Sequence, residues 1–401
     1  MSTNNSHKIG VGTATIVGMN AMIGAGIFGI TSLLASKVGA AGILTYLFAF
    51  IAVWFIAQSI ARAAYLWPEE GSFYIYARQW GGHKMGLAAA GTYFIGFLFA
   101  MTLLCKTIGE YLHNIFPTIS AQSLGIITLL SLVILNMMGV VLSKVGQYIL
   151  IGCTLFPLFA TTILCFSKFN IANLTPFMPH GVFSIFEGTR IAIFGLFGFE
   201  SVTALFNVVE NPEKNLPKAL QYSLFLVGMI YFFFIFSIIV SVPLSIFTAN
   251  ENVTIPQALQ ILFPNYIFIL HLINFAIISA MVGTVHSMIW AGSELLFSFG
   301  KITRSQHIQK LFKKNIITQR TAVLICGLII LSFFNVIHNK DLFFTLTNIG
   351  LIFTYSTAMI SLLFQPAEWK SGQNIKTILG LVTASIIFMV SIHKLIHAII
   401  I

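Results

Sequence analysis

The chain has 401 residues, of which 57% are hydrophobic and 8% are charged, whereas soluble domains carry about 25% charged residues. This composition excludes a soluble globular protein and indicates a polytopic membrane protein. The apolar segments run for about 20 residues without alternation, which favours helices over a transmembrane barrel. The net charge of +10 is explained by its placement in loops, so we expect no nucleic acid partner.

Apolar runs separated by polar breaks predict about 11 membrane spans. Placing the N-terminus in the cytoplasm puts about 15 of the 21 Lys and Arg residues on that side, as the positive-inside rule requires. An odd number of spans then leaves the C-terminus outside. The predicted spans are 9–36, 39–66, 86–112, 121–141, 145–167, 183–209, 219–242, 266–299, 320–337, 342–364 and 375–399.

The first span contains a stretch that is unfavourable for a helix, MIGAGIFG at 22–29. Each glycine in a helix interior costs about 1 kcal/mol relative to alanine, and freed backbone groups in a bilayer need a partner or a water-filled cavity. We hypothesise that Gly24, Ala25 and Gly26 unwind the helix. Their bare N–H and C=O groups would then bind a small charged molecule in mid-membrane.

A second glycine-interrupted stretch, FGLFGFE at 194–200, lies five spans later in the sixth span. Broken helices at corresponding positions of two halves indicate a transporter binding site. Because five is odd, the second half enters the membrane inverted. We therefore predict a first repeat at 9–167, an inverted second repeat at 183–364 and an additional helix at 375–399.

Three motifs resemble signatures of the amino acid–polyamine–organocation family of permeases. IGAGIF at 23–28 resembles the first-helix signature of that family. PEEGSFYIYAR at 68–78 resembles its cytoplasmic-loop signature P-x-x-G-G-x-Y-x-Y-A-R, with Ser72 in place of the second glycine. FGFES at 197–201, followed by ENPEKNLPKA at 210–219, resembles its sixth-helix and loop signature. The three occur in the expected order.

The resemblance implies an all-α polytopic membrane protein with the five-plus-five inverted-repeat fold of the leucine-transporter type. It also implies a permease of the cell membrane that acts on amino acids or related amines. In such proteins, first-helix amides hold the substrate carboxylate, and carbonyls at both breaks hold the amino group. The implied substrate-binding residues here are Met22, Ile23, Gly24, Ala25, Gly26, Ile27, Phe194, Gly195 and Phe197.

The chain also departs from the family pattern. Family members usually have twelve spans, whereas 11 are predicted here. The dimer contacts typical of the family therefore cannot be transferred, and we make no prediction of the oligomeric state. Some proton-coupled relatives place a lysine in the fifth helix, but the fifth span here has none at its centre. Glu294 stands in the eighth span where the family commonly carries arginine.

Ionisable and polar groups inside the spans are candidates for coupling, because their burial is costly unless they are paired or hydrated. Glu200 directly follows the second break, where it either carries a proton or serves as a structural hydrogen-bonding group. Thr284 and Ser287, in the eighth span, are candidate sodium ligands, and His286 titrates near neutral pH when exposed. The coupling ion is thus H⁺ or Na⁺, and exchange is a further alternative.

Further polar residues have less specific interpretations. We expect Gln58 and Asn136 to make interhelical hydrogen bonds, and Asn20 to cap or line the first break. Segment 257–263 is either a short helical lid or an ordinary surface loop. The four cysteines lie in apolar segments without metal-ligand spacing, so we expect no disulfide, metal site or cofactor.

The sequence therefore predicts a secondary active transporter of amino acids or related amines, working by alternating access in the lipid bilayer. Neutral amino acids are the favoured substrates, and proton-coupled symport or exchange is the favoured mode. An intramembrane enzyme is disfavoured, because the chain has no H-E-x-x-H motif and only 11 acidic residues, mostly in loops. Two alternatives remain open. One is a sensor that binds amino acids without transporting them, and the other is an exchanger of polyamines or cationic amino acids.

Overall fold

A computed structural model describes residues 8–24, 26–249, 253–302, 306–314, 316–336, 340–364 and 371–400. Within these residues the chain folds into fifteen α-helices, with no β-strand longer than a single bridge. They are α1 (Val11–Met22), α2 (Gly26–Lys37), α3 (Gly42–Leu66), α4 (Phe73–His113), α5 (Ala121–Met137), α6 (Val140–Phe166), α7 (Phe183–Phe194), α8 (Pro212–Ser241), α9 (Leu244–Ala249), α10 (Ile255–Leu262), α11 (Ile267–Ile302), α12 (Gln306–Lys313), α13 (Gln319–Val336), α14 (Lys340–Leu363) and α15 (Ser371–Ile400).

The long helices correspond to the predicted spans. Among the described residues, six helices are long and apolar enough to cross a membrane, namely α3, α4, α6, α8, α11 and α14. Helices α1 and α2 pass the same test as a pair bent by 48°, and α5, α13 and α15 contain shorter apolar helices. Helix α7 and a 3₁₀ helix (Phe199–Leu205) occupy the sixth span. The prediction of an all-α polytopic membrane protein is confirmed.

The broken helices lie at the centre of the bundle. Helix α1 contacts α6, α8, α11 and the 3₁₀ helix, and Val17 and Ala21 on α1 are buried. Polar side chains also link the long helices, since the amide of Gln221 on α8 donates to Gln58 on α3 at 3.2 Å. Such bonds satisfy polar groups that would otherwise face hydrocarbon.

One end of the bundle carries the start of α1, the α3–α4 connection and the start of α8. We call this end the inner face, because the charge pattern predicts it to be cytoplasmic. Here Ile9 forms a short bridge with the chain after the 3₁₀ helix. The amide of Ile9 donates to the carbonyl of Val208 at 2.8 Å, and the amide of Glu210 donates back to Ile9 at 2.9 Å.

The opposite face is covered by loop segments. Gln257 accepts a hydrogen bond from the amide of Thr254 at 2.9 Å and so fixes the start of α10. This helix packs on α2 and α11, with Ile255 and Leu259 buried. The helix predicted at 257–263 is thus present, two residues earlier at its start, whereas segment 250–252 lies outside the described residues.

Candidate functional site

The first break separates α1, which ends at Met22, from α2, which begins at Gly26. Ile23 leaves the helical conformation, with φ −78° and ψ 84°, and the amide of Gly24 turns back to the Met22 carbonyl at 2.9 Å. Ala25 lies outside the described residues. The interruption predicted from the glycine-rich stretch is therefore present.

Side chains from other helices engage the carbonyl groups at the end of α1. The hydroxyl of Tyr231 on α8 donates to the Met22 carbonyl at 3.0 Å. Thr284 Oγ1 on α11 lies 2.9 Å from the carbonyl of Asn20 and 3.2 Å from that of Ile23. Because a hydroxyl has one proton, Thr284 donates to one carbonyl at a time. The Met22 carbonyl, predicted to hold a substrate amine, is already engaged by protein groups in this conformation.

The amide groups at the start of α2, unlike the carbonyl groups at the end of α1, are not engaged by other groups of the described protein. The first N–H groups of a helix have no acceptor within it, and no described residue accepts a hydrogen bond from Gly26, Ile27 or Phe28. The side chains of Ile27 and Phe28 are buried. A helix N-terminus with free amides carries partial positive charge and binds anions. This end of α2 can therefore hold a carboxylate.

The second break lies directly against the first. Helix α7 ends at Phe194, and Gly198 has a φ of +113°, which favours glycine. A Cβ on Gly198 would lie 2.5 Å from the carbonyl oxygen of Ala21, at the end of α1. A Cβ on Gly26 would lie 3.4 Å from Cα of Gly195. The two glycine-rich stretches, far apart in sequence, thus form one contact.

Glu200 lies at the start of the 3₁₀ helix and is 1% exposed. Its Oε2 accepts a hydrogen bond from the amide of Gly198 at 2.9 Å. Its Oε1 is buried, and the hydroxyl group of Tyr355 is the side-chain group paired with this carboxyl group. Tyr355 on α14 and Tyr93 on α4 face the carboxyl group and interact with it electrostatically. A carboxyl group in this position is suited to carrying a proton.

An aromatic cluster surrounds Tyr355 between the breaks and the inner face. The ring of Tyr355 contacts those of Phe197, Phe199 and Phe73, with centroids 5.8, 5.8 and 5.9 Å away. Phe197 also contacts Phe194, with centroids 6.3 Å apart. These rings come from α4, α14 and the second break. They pack against one another at the second break, on the side toward the start of α4.

A polar network without an acid or a lysine connects α1, α6 and α11. Gln147 Oε1 on α6 accepts hydrogen bonds from the side chains of Asn20 at 2.6 Å and Ser287 at 2.7 Å. Gln147 Nε2 is buried and has no partner among the described residues. The structure therefore brings Thr284 to the first break, whereas Ser287 bonds to Gln147.

His286 is on α11, where it contacts α5 and α6 and is fully buried. Asn136 Nδ2 donates to His286 Nδ1 at 2.9 Å, so Nε2 carries the proton and donates to the carbonyl of Ser143 at 3.2 Å. Both ring nitrogens are engaged by protein groups. This arrangement is typical of a structural histidine and also supplies the interhelical bond predicted for Asn136.

The inner face is closed by polar contacts around Glu70, in the loop motif at 68–78. Asn207 and Ser298 donate to Glu70 Oε1 at 2.8 and 2.9 Å. Lys301 forms a salt bridge with the same carboxylate at 3.0 Å. The loop after α3 is thus tied to the segment that follows the 3₁₀ helix and to α11. This closure gives the loop motif a physical role.

Sequence reasoning missed the partners that complete the site. Tyr231, Tyr93 and Tyr355 are tyrosines in apolar helices, and nothing in the local pattern distinguishes them from other aromatic residues. Gln147 could have been singled out from the sequence, since an amide side chain inside a predicted span indicates an interhelical hydrogen bond. Glu70 belongs to a recognised motif, but its contacts lie more than a hundred residues away.

An all-α bundle in which two broken helices meet at the centre is the architecture of a membrane transporter. The profile of the amino acid permease family matches residues 14–401, and the chain belongs to that family. The expected resemblance is confirmed, and family membership supports a transporter of amino acids rather than an enzyme.

Curated relatives are similar over most of the chain. The gamma-aminobutyric acid permease of Escherichia coli is 24% identical over 331 residues, covering 76% of this chain and 71% of the relative. The branched-chain amino acid permease of Lactococcus lactis is 24% identical, covering 75% and 68%. The histidine permease of Lactococcus lactis is also 24% identical, covering 72% and 64%. All three are named as permeases of amino acids.

Proposed function

We propose that the chain is a secondary active transporter of neutral amino acids that binds the substrate carboxylate at the start of α2. The observation that carries this proposal is the set of amides at Gly26, Ile27 and Phe28 without an acceptor among the described residues. Helix dipole and amide hydrogen bonds bind a carboxylate without placing a permanent charge in the bilayer.

The remaining contacts to the substrate come from the second break. The Met22 carbonyl is engaged by Tyr231, and the Phe194 carbonyl accepts a hydrogen bond from the amide of Phe197 at 3.3 Å. Carbonyls of residues 195–197 are therefore the better candidates for the amino group. Phe194 and Phe197 add an aromatic wall next to Gly195 and Gly26. This uncharged wall favours a neutral side chain. The names of the relatives, which include branched-chain amino acids, agree with this class.

Transport would proceed by alternating access between the two repeats predicted at 9–167 and 183–364. The inner face is closed in two layers, first by the aromatic cluster around Tyr355 and then by Glu70 with Lys301. Opening toward this face requires both layers to separate, while the substrate stays at the contact between the breaks. α10 covers the other face and is the candidate lid.

We further propose that a proton, rather than sodium, drives accumulation, and that Glu200 carries it. Glu200 lies between the breaks and the aromatic cluster, so a change in its protonation reaches both. The other candidate coupling residues are already hydrogen-bonded to groups of the protein. Thr284 bonds to carbonyls of the first break, Ser287 bonds to Gln147, and both nitrogens of His286 are engaged.

The test is uptake by purified protein in liposomes, with labelled amino acids and amines and imposed proton or sodium gradients. We expect uptake of neutral amino acids that a proton gradient increases and a sodium gradient does not. Uptake of polyamines or cationic amino acids alone would reject the assigned substrate class. Specific binding of an amino acid with neither uptake nor exchange would reject transport and identify a sensor.

A further inference from the structure

A polar cavity lies away from the breaks, between α3, α8 and α15 near the inner face. It has a volume of about 260 Å³. Its lining includes two cationic side chains, Arg62 and Lys376, and no carboxylate among the described residues. Amides and hydroxyl groups complete the polar part of the lining, contributed by Gln58, Ser59, Gln221 and Thr377.

Hydrogen bonds between the three helices form the wall of this cavity. Arg62 Nη1 on α3 donates to the buried Asn374 Oδ1 on α15 at 3.3 Å. Gln221 on α8 donates to Gln58 on α3 at 3.2 Å. These bonds connect the helices and leave the cavity between them. Arginine is a permanent cation whose N–H groups form charged hydrogen bonds of the kind that bind phosphate.

The cavity lies at the depth of lipid headgroups. Arg62 is one helical turn, about 6 Å, from the end of α3 at Leu66, and Lys376 is about 8 Å from the start of α15. Tyr65, which also lines the cavity, is 63% exposed. Tyrosine at such a position is typical of the membrane interface.

The surface next to the cavity carries exposed apolar side chains. On α8, Tyr222 and Phe225 are exposed beside Gln221, and on α15, Ile375 and Ile378 flank the cavity residues. Exposed apolar side chains on both sides of a cationic cavity fit an amphiphile, with its anionic head in the cavity and its acyl chains along α8 and α15. A water-soluble anion would leave this apolar surface unused.

We propose that this cavity is a binding site for the phosphate headgroup of an anionic phospholipid of the inner-face leaflet. The headgroup interacts with Arg62 and Lys376, while its acyl chains lie on α8 and α15. Because α3 and α8 also contact the elements around the first break, a bound lipid stabilises the arrangement of these helices. The proposal does not depend on which substrate the breaks bind.

The test measures thermal unfolding of the full chain in a neutral detergent during titration with short-chain phosphatidylglycerol, phosphatidylcholine or inorganic phosphate. A ligand that binds the folded state raises Tm in proportion to its occupancy, which yields an apparent Kd. The test variant is Arg62→Gln with Lys376→Gln. The control variant, Lys84→Gln with Arg320→Gln, removes the same charge from exposed inner-face positions outside the cavity lining.

We expect phosphatidylglycerol alone to stabilise the protein, and the test variant to bind it about 25-fold more weakly, since each cation contributes about a fivefold effect. The control variant should change the Kd less than threefold. An equal loss in the control would overturn the site in favour of diffuse attraction, and equal stabilisation by inorganic phosphate would overturn the lipid assignment. If the double variant fails to fold, Lys376→Gln alone should weaken binding about fivefold, and an unchanged Kd would overturn the proposal.

Discussion

Replacement of Gly26 by leucine tests the site at the start of α2. A Cβ at this position lies 3.4 Å from Cα of Gly195, so alanine fits and the larger leucine side chain fills the space between the breaks. Gly26 does not have a positive φ, and leucine is a better helix former than glycine, so the fold should persist. Hydrogen bonds to a charged group contribute about 1.5–3 kcal/mol each. Loss of two of them weakens binding at least about 100-fold.

The assay is equilibrium binding of a labelled neutral amino acid to purified protein, with Tm of the unliganded protein as the folding control. Gly26→Ala should retain most of the binding. Gly12→Leu is the matched control, because a Cβ at that position would meet no atom within 4 Å. Wild-type affinity in a folded Gly26→Leu variant would refute the assignment of the carboxylate to the α2 amides.

Three further predictions concern the surroundings of the breaks. Glu200→Gln should retain exchange in liposomes but lose at least tenfold of the accumulation driven by a proton gradient; unchanged accumulation would reject Glu200 as the proton carrier. Tyr231→Phe removes a hydrogen bond to the end of α1 and should cost about 1 kcal/mol of stability, measured as a lower Tm than that of Tyr222→Phe, which alters an exposed side chain. Glu70→Gln removes the salt bridge to Lys301 and should speed hydrogen exchange at 206–211 about fivefold, whereas unchanged exchange would contradict its role in closure.

Much of the fold follows from patterns that act within one helix. Apolar runs of bilayer length predicted a helical segment for each of the spans, and glycine-rich stretches predicted both breaks. The sequence did not predict that α4 begins at Phe73, ahead of the expected span at 86–112, with a non-helical Gly82 inside it. It also gave no sign that the second break continues as a 3₁₀ helix. These features depend on tertiary packing.

The site was predicted only where local backbone properties determine it. Amides at a helix start follow from the chain itself, so the role that we propose for Gly26 could be inferred from the sequence. The hydrogen bond from Tyr231 to the Met22 carbonyl could not be predicted, because it joins residues 209 positions apart. Likewise, His286 was a coupling candidate because it is an ionisable side chain inside the eighth predicted span, but its partners Asn136 and Ser143 depend on how α5 and α6 pack.

The most direct test of the account compares an amino acid with its carboxamide in the same liposome exchange experiment. If amides at the start of α2 hold the substrate carboxylate, a transported neutral amino acid should compete for exchange at least about 100-fold better than its carboxamide. Equal competition by the two compounds would contradict the account, since the carboxylate would then contribute nothing to recognition.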